Sequence, residues 1–120
     1  MSDNKIGRQE QGEIYRRINV DEAHQLIQEG SSTVIDVRQE NEWLEGHVHN
    51  ALHICVDDLL SKVDSLPADG NLLFICAAGV RSGLACEMAA AMGINSSRLY
   101  NIEQGTPTWI ASNYPTAYGK

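Results

Sequence analysis

The sequence predicts an α/β domain with a mainly parallel sheet covered by helices on both faces. Three observations carry that prediction. Strand-like apolar runs and runs at helical spacing alternate about five times along the chain. The run Leu72–Cys76 is apolar throughout, as a central strand buried on both sides must be. The chain has 120 residues, 42% of them apolar and 21% charged, which makes one domain and not a disordered segment. A domain of that size buries on the order of two thirds of its unfolded surface.

Taken in order, residues 1–13 are polar, glycine-containing and aperiodic, and read as a flexible N-terminal tail; residues 14–120 form the domain. Tyr15–Ile18 is a short strand. Asn19 and Glu22 stand at capping-box spacing ahead of Ala23, Leu26 and Ile27, and Gly30 sits where a helix ends. Thr33–Val37 is a β-branched strand. Asn41–Glu45 is a short helix closed by Gly46, and Ala51–Ile54 is a further apolar run. Asp57–Val63 reads as helix, ended by Pro67 and Gly70. After the central strand comes a helix over Ser82–Met92, with Leu84, Ala85, Met88, Ala91 and Met92 on one side and Gly93 closing it. Arg98–Ile102 is strand-like. Thr106–Ser112, with Pro107 in its first turn, is the last helix.

Charge and composition exclude several function classes. Nine Lys and Arg oppose sixteen Asp and Glu, a net charge of −7. Nucleic acid and anionic membrane surfaces both reward positive charge, so neither is expected as a partner. The longest apolar run, Leu72–Val80, is about half of a membrane span. No secretory h-region stands in the first thirty residues, and three cysteines form no even disulfide framework; free thiols in a cytoplasmic setting are the expectation.

The chemistry is concentrated in Phe74-Ile75-Cys76-Ala77-Ala78-Gly79-Val80-Arg81-Ser82. An apolar strand ends at a cysteine, a connection of small residues and one arginine follows, and a helix is expected from Ser82. Loop amides turned inward make an anion nest, and the helix presents its positive end to the same point. Arg81 is expected to add a full positive charge. All three favour thiolate over thiol, preparing a nucleophile for an anionic substrate. The competing reading is a cysteine that serves only as a small core hydrophobe.

This segment, with Val34-Ile35-Asp36-Val37-Arg38, Glu42-Trp43, Gly46-His47-Val48 and Ala51, resembles the rhodanese family of sulfurtransferases. So does the ending, with Tyr100-Asn101-Ile102, Gly105, Trp109 and Tyr114-Pro115. The resemblance covers residues 15–118 and implies a rhodanese-like fold with a five-stranded mainly parallel sheet. It further implies that Cys76 accepts sulfane sulfur from thiosulfate or a protein persulfide. The sulfur then passes to cyanide or a thiol acceptor, for example in a sulfur-relay protein. Ala77, Ala78, Gly79, Val80, Arg81 and Ser82 would cradle the substrate, and no cofactor or metal is implied. Two other classes stay open: a non-catalytic rhodanese-like binding module, and a cysteine-dependent phosphatase or arsenate reductase. The Cys-x4-Arg spacing disfavours the last, since tyrosine phosphatases resemble Cys-x5-Arg.

Other residues carry weaker signals. Arg38, at a strand end, is expected to pair with Glu42 and border the site, or to form only an exposed ion pair worth about 1 kcal/mol or less. Cys55 stands where the family often has proline; it is a resolving thiol, a second persulfide carrier, or a packed small residue. His47, His49, His53 and Cys55 share parity along a possible strand, a metal-site pattern too crowded to enclose a tetrahedral ion. Cys86 falls opposite the expected apolar stripe of its helix. Gln104 replaces one glycine of a common Gly-Gly pair and would alter donor preference if it bordered the pocket.

Overall fold

The computed structural model describes residues 6–120. Its strands and helices run in the order β1 (Arg16–Ile18), α1 (Val20–Glu29), β2 (Ser32–Asp36), α2 (Glu40–Leu44), β3 (His47–Val48), β4 (Leu52–His53), α3 (Leu59–Lys62), β5 (Asn71–Ile75), α4 (Val80–Ala91), β6 (Leu99–Ile102), α5 (Gly105–Ala111) and β7 (Thr116–Ala117). Five strands form one parallel sheet in the order β1-β6-β5-β2-β4. The two-residue strands β3 and β7 pair antiparallel in a second small sheet that the sequence did not announce.

Alternation along β5 explains where the site lies. Leu72, Phe74 and Cys76 fall on one face of the sheet, packed with Ala85, Cys86 and Ala89 of α4. Leu73 and Ile75 fall on the other, packed with Ala23 and Leu26 of α1 and Trp109 of α5. Both faces are covered, so the central strand is apolar from Leu72 onward. The capping box of α1 forms as its spacing predicts: Glu22 N–H donates to Asn19 Oδ1 at 2.7 Å and Asn19 N–H to Glu22 Oε1 at 2.9 Å.

Three expectations need correction. The helix α4 begins at Val80, not Ser82, because Gly79 takes a left-handed conformation (φ +90°) that turns the chain into the helix at once. Its buried side carries Ser82, Gly83, Ala85, Cys86 and Ala89, while Leu84 and Met92 are each 49% exposed. Small side chains let this helix lie close to the sheet, so size and not hydrophobicity selects its inner face, and Cys86 is core. The single helix expected over 57–63 is instead the short α3 between two 3-10 turns, Val56–Asp58 and Val63–Ser65.

Residues 1–5 of the expected tail lie outside the described residues. From Ile6 onward the chain lies along β1: Arg8 and Arg17 exchange backbone hydrogen bonds of 3.0 and 2.6 Å, and the Arg16 guanidinium donates to the carbonyls of Ile6 and Gly7.

The histidine parity also dissolves. β3 and β4 belong to different sheets, with Asn50 in a left-handed conformation (φ +67°) between them. His47 and His53 both stack on Trp43, with ring centroids 3.4 and 4.8 Å away. Their nitrogens are engaged by the carbonyls of Trp43 and Arg38, each at 2.8 Å. Among the described residues, no His/Cys/Asp/Glu group is placed to hold a metal ion, and no helix is long and apolar enough to cross a membrane.

Candidate active site

Cys76 follows the last residue of β5, and the three residues Ala77, Ala78 and Gly79 carry the chain into α4. The Gly79 N–H points at Cys76 Sγ from 3.1 Å and the Ser82 N–H from 3.3 Å. The Ser82 hydroxyl oxygen lies 3.2 Å from the same sulfur. Burial pushes the Cys76 thiol pKa up, but the hydrogen bond shared with the Ser82 side chain and those from the backbone N–H groups of Ser82, Ala78 and Gly79 outweigh it. The net position is below the ordinary thiol value. By contrast Cys86, also buried but without such donors, is pushed well above it.

The loop is pinned from behind by β6 and α5. Asn101 Nδ2 donates to the Gly79 carbonyl at 3.0 Å, and Thr106 N–H donates to the Cys76 carbonyl at 2.9 Å. Gly79 itself cannot be replaced without conflict, since a Cβ there would stand 2.6 Å from the Glu103 carbonyl oxygen. The residue Cys76 is 1% exposed, so the sulfur lies at the floor of its cradle. A hollow of about 350 Å³, lined by Arg38, Glu42, Glu45, Ala77, Thr106 and Ile110 among others, opens beside the loop.

The arginines are arranged differently from the expectation. Arg81 does not hydrogen-bond to the sulfur; it is clamped by Glu42 through two bonds of 2.7 and 2.9 Å. That pairing holds the Glu42 carboxyl near a pKa of about 2 and raises that of Arg81. Arg38 therefore does not pair with Glu42. It closes back on Asp36, two residues earlier, with bonds of 2.8–3.1 Å, and donates to the Gly46 carbonyl at 2.7 Å. Asp36 is fully buried, and its pairing with Arg38, which also reaches the Gly46 carbonyl, cross-links the end of β2 to the start of β3.

The remaining sequence candidates are placed as follows. Ala77 borders the hollow, and Val80, 79% exposed, forms the outer rim of the helix start. Cys55 lines a different depression with Gln39, Asp57 and Lys62; its sulfur accepts from Gln39 Nε2 at 3.2 Å. All three cysteines are free. Gln104 turns away to accept the Val20 N–H at 2.9 Å, capping α1. Sequence reasoning missed Asn101 as part of the site. Its signals were a polar residue in an otherwise apolar strand end and its place in the family-like stretch Tyr100-Asn101-Ile102.

Comparison with known proteins agrees with this architecture. A family model described as Rhodanese-like domain matches residues 19–112. YtwF of Bacillus subtilis (strain 168), named as a sulfurtransferase, is 33% identical over 82 residues, covering 68% of this chain and 77% of that protein. Thiosulfate sulfurtransferase GlpE of Coxiella burnetii is 26% identical over 104 residues, covering 87% and 94%. The crystal structure of a rhodanese-related protein from Thermoplasma volcanium superposes with a TM-score of 0.73 at 33% identity, covering 86% of this chain and 98% of that one. Strand order, a cysteine at the carboxyl end of the central strand and these likenesses agree: the chain belongs to the rhodanese-like domain family.

Proposed function

We propose that the domain is a sulfurtransferase that carries sulfane sulfur on Cys76. The observation that supports this reading best is the convergence of the Gly79 and Ser82 amides on one sulfur atom at 3.1 and 3.3 Å. Such donors favour the thiolate before the donor arrives, and they stabilise charge on the sulfur throughout. In the first half-reaction Cys76–S⁻ attacks the terminal sulfur of R–S–SH. The new S–S bond forms, the old one breaks, and R–S⁻ leaves with the bonding pair, giving Cys76–S–SH. With thiosulfate the leaving group is sulfite. In the second half-reaction a thiolate or cyanide takes the terminal sulfur and regenerates Cys76, so the kinetics are ping-pong.

The charge around the loop bears on the donor. Arg81 is neutralised by Glu42 and Arg38 by Asp36, and Glu45 adds a further negative charge at the hollow. A persulfide on a thiol, which carries at most one negative charge at the reacting sulfurs, suits this mouth better than dianionic thiosulfate. A partner in a cytoplasmic sulfur relay fits that donor class and the three free thiols.

The test is the mass of the intact protein after incubation with thiosulfate and, separately, with a small-molecule persulfide. Wild type gains one sulfur and Cys76→Ser gains none. No adduct from either donor refutes the reading. One observation favours the binding-module alternative: Cys76 is almost wholly enclosed. If Cys76 also resists iodoacetamide in the folded protein at neutral pH, the module becomes the better description. The phosphatase or arsenate reductase reading keeps only the shared fold, and Cys76-dependent hydrolysis of a phosphate ester or reduction of arsenate would revive it.

A further inference from the structure

Asn101 lies in β6, is 1% exposed, and is joined to Cys76 through a single hydroxyl. Its orientation follows from its neighbours. Nδ2 faces the Gly79 carbonyl at 3.0 Å, which can only accept, so Oδ1 is the atom 2.6 Å from Ser82 Oγ. A carboxamide oxygen cannot donate, and the Ser82 hydroxyl has one proton. That proton is therefore given to Asn101. Ser82 Oγ also lies 3.2 Å from Cys76 Sγ, so two acceptors compete for one hydrogen.

While Cys76 is a thiol the chain is satisfied: S–H donates to Ser82 Oγ, and Oγ–H donates to Asn101 Oδ1. When the thiol loses its proton to water, the sulfur faces the lone pairs of Ser82 unless the hydroxyl turns toward it. Turning strands a buried amide oxygen. Once Cys76 bears the transferred sulfur, Sγ is a neutral divalent atom and a weak acceptor, and the hydroxyl returns to Asn101. We propose that Asn101 is a positioning residue that sets the protonation of Cys76 by holding the Ser82 hydroxyl proton away from the sulfur. Its effect opposes that of the loop amides and limits how far they favour the thiolate. This deepens the sulfur-acceptor reading and rests on it, although its test reads ionisation and requires no turnover. The charged groups around the sulfur, Arg81 with Glu42 and Asp36 with Arg38, are untouched by the variants used.

The experiment follows the pH dependence of Cys76 alkylation by iodoacetamide, resolved by peptide mass spectrometry so that Cys55 and Cys86 are read separately. Asn101→Leu and Asn101→Ala free the hydroxyl, and the alkylation midpoint falls by about 0.5–1 pH unit, the scale of one hydrogen bond. Ser82→Ala removes the hydroxyl, and the midpoint rises. In the Ser82→Ala background the Asn101 substitutions no longer lower it, an interaction that a purely structural role does not produce. A rise or no change in the Asn101 variants, or the same fall without Ser82, overturns the proposal. In wild type the Asn101 side-chain NH₂ resonances must titrate with the Cys76 midpoint, and signals that stay fixed overturn it with no substitution at all. Coupling without sulfur loading defeats only the sulfur-acceptor reading; loading without coupling defeats only this one.

Discussion

Gly79→Ala separates two demands that the site makes on one residue. Gly79 has φ +90°, which an L side chain adopts at a cost of roughly 1–2 kcal/mol. A Cβ there also stands 2.6 Å from the Glu103 carbonyl oxygen and 3.1 Å from the Glu103 Cα, both backbone atoms that no rotamer change can move aside. Glu103 is itself held by its N–H bond to the Ile18 carbonyl at 3.0 Å. Relieving such overpacking adds about 1–3 kcal/mol. The sum, about 2–5 kcal/mol, is a large part of the ~5–15 kcal/mol expected for a domain of this size. With a mid-range urea dependence of about 2 kcal/mol per molar, the unfolding midpoint falls by roughly 1–2.5 M. Gly93→Ala is the matched control: φ is +101°, but nothing lies within 4 Å of the added carbon. It bears only the conformational cost. The loop must also yield in Gly79→Ala, drawing the N–H away from Cys76 Sγ and raising the alkylation midpoint of that thiol. Equal urea midpoints for the two variants, or an unmoved Cys76 midpoint in Gly79→Ala, would refute the close-approach reasoning.

Two further outcomes follow from the ion pairs. Asp36→Ala leaves the Arg38 guanidinium, 7% exposed, without its carboxylate, and lowers stability by about 3–5 kcal/mol in urea titration; a loss under about 1 kcal/mol contradicts the buried-pair description. Glu42 titrates near 2 in the folded protein against 4.5 unperturbed. Its stabilisation is complete above pH 4.5 and disappears as the pH falls toward 2, because the unfolded chain takes up the proton first. With the paired side chains 33% and 28% exposed, solvent screening reduces this to about 1 kcal/mol or less. In Glu42→Gln the urea midpoint loses that part of its pH dependence, and an unchanged acid limb removes the pair from the account.

The parts of the fold that the sequence disclosed are those set by neighbours in the chain. The capping box of α1 needs only Asn19 and Glu22 three apart, and the cradle needs only an apolar strand that runs through a short glycine-containing turn into a helix. The parts it concealed depend on choices between distant partners. Arg38 was expected on Glu42 and Arg81 as a full positive charge, and only the folded geometry shows Asp36 taking Arg38 and Glu42 taking Arg81. The inner face of α4 was misread because hydrophobicity was followed where close packing demanded small side chains. Asn101 was unreadable as a site residue because its partners, Ser82 and Gly79, come from another strand-helix unit. β3 and β7 are too short to leave any periodic trace.

Every pairing in the main sheet is parallel, so no hairpin closes any part of it locally. Ile18 and Ile102, near opposite ends of the chain, are register partners, and β5 is complete only with β2 on one side and β6 on the other. Such long-range topology folds more slowly than a sheet of local hairpins. A chain still emerging from the ribosome thus holds an unremarkable sulfhydryl at position 76. Its heightened acidity belongs to the folded domain, where the turn after β5 and the start of α4 hold their N–H groups on the sulfur.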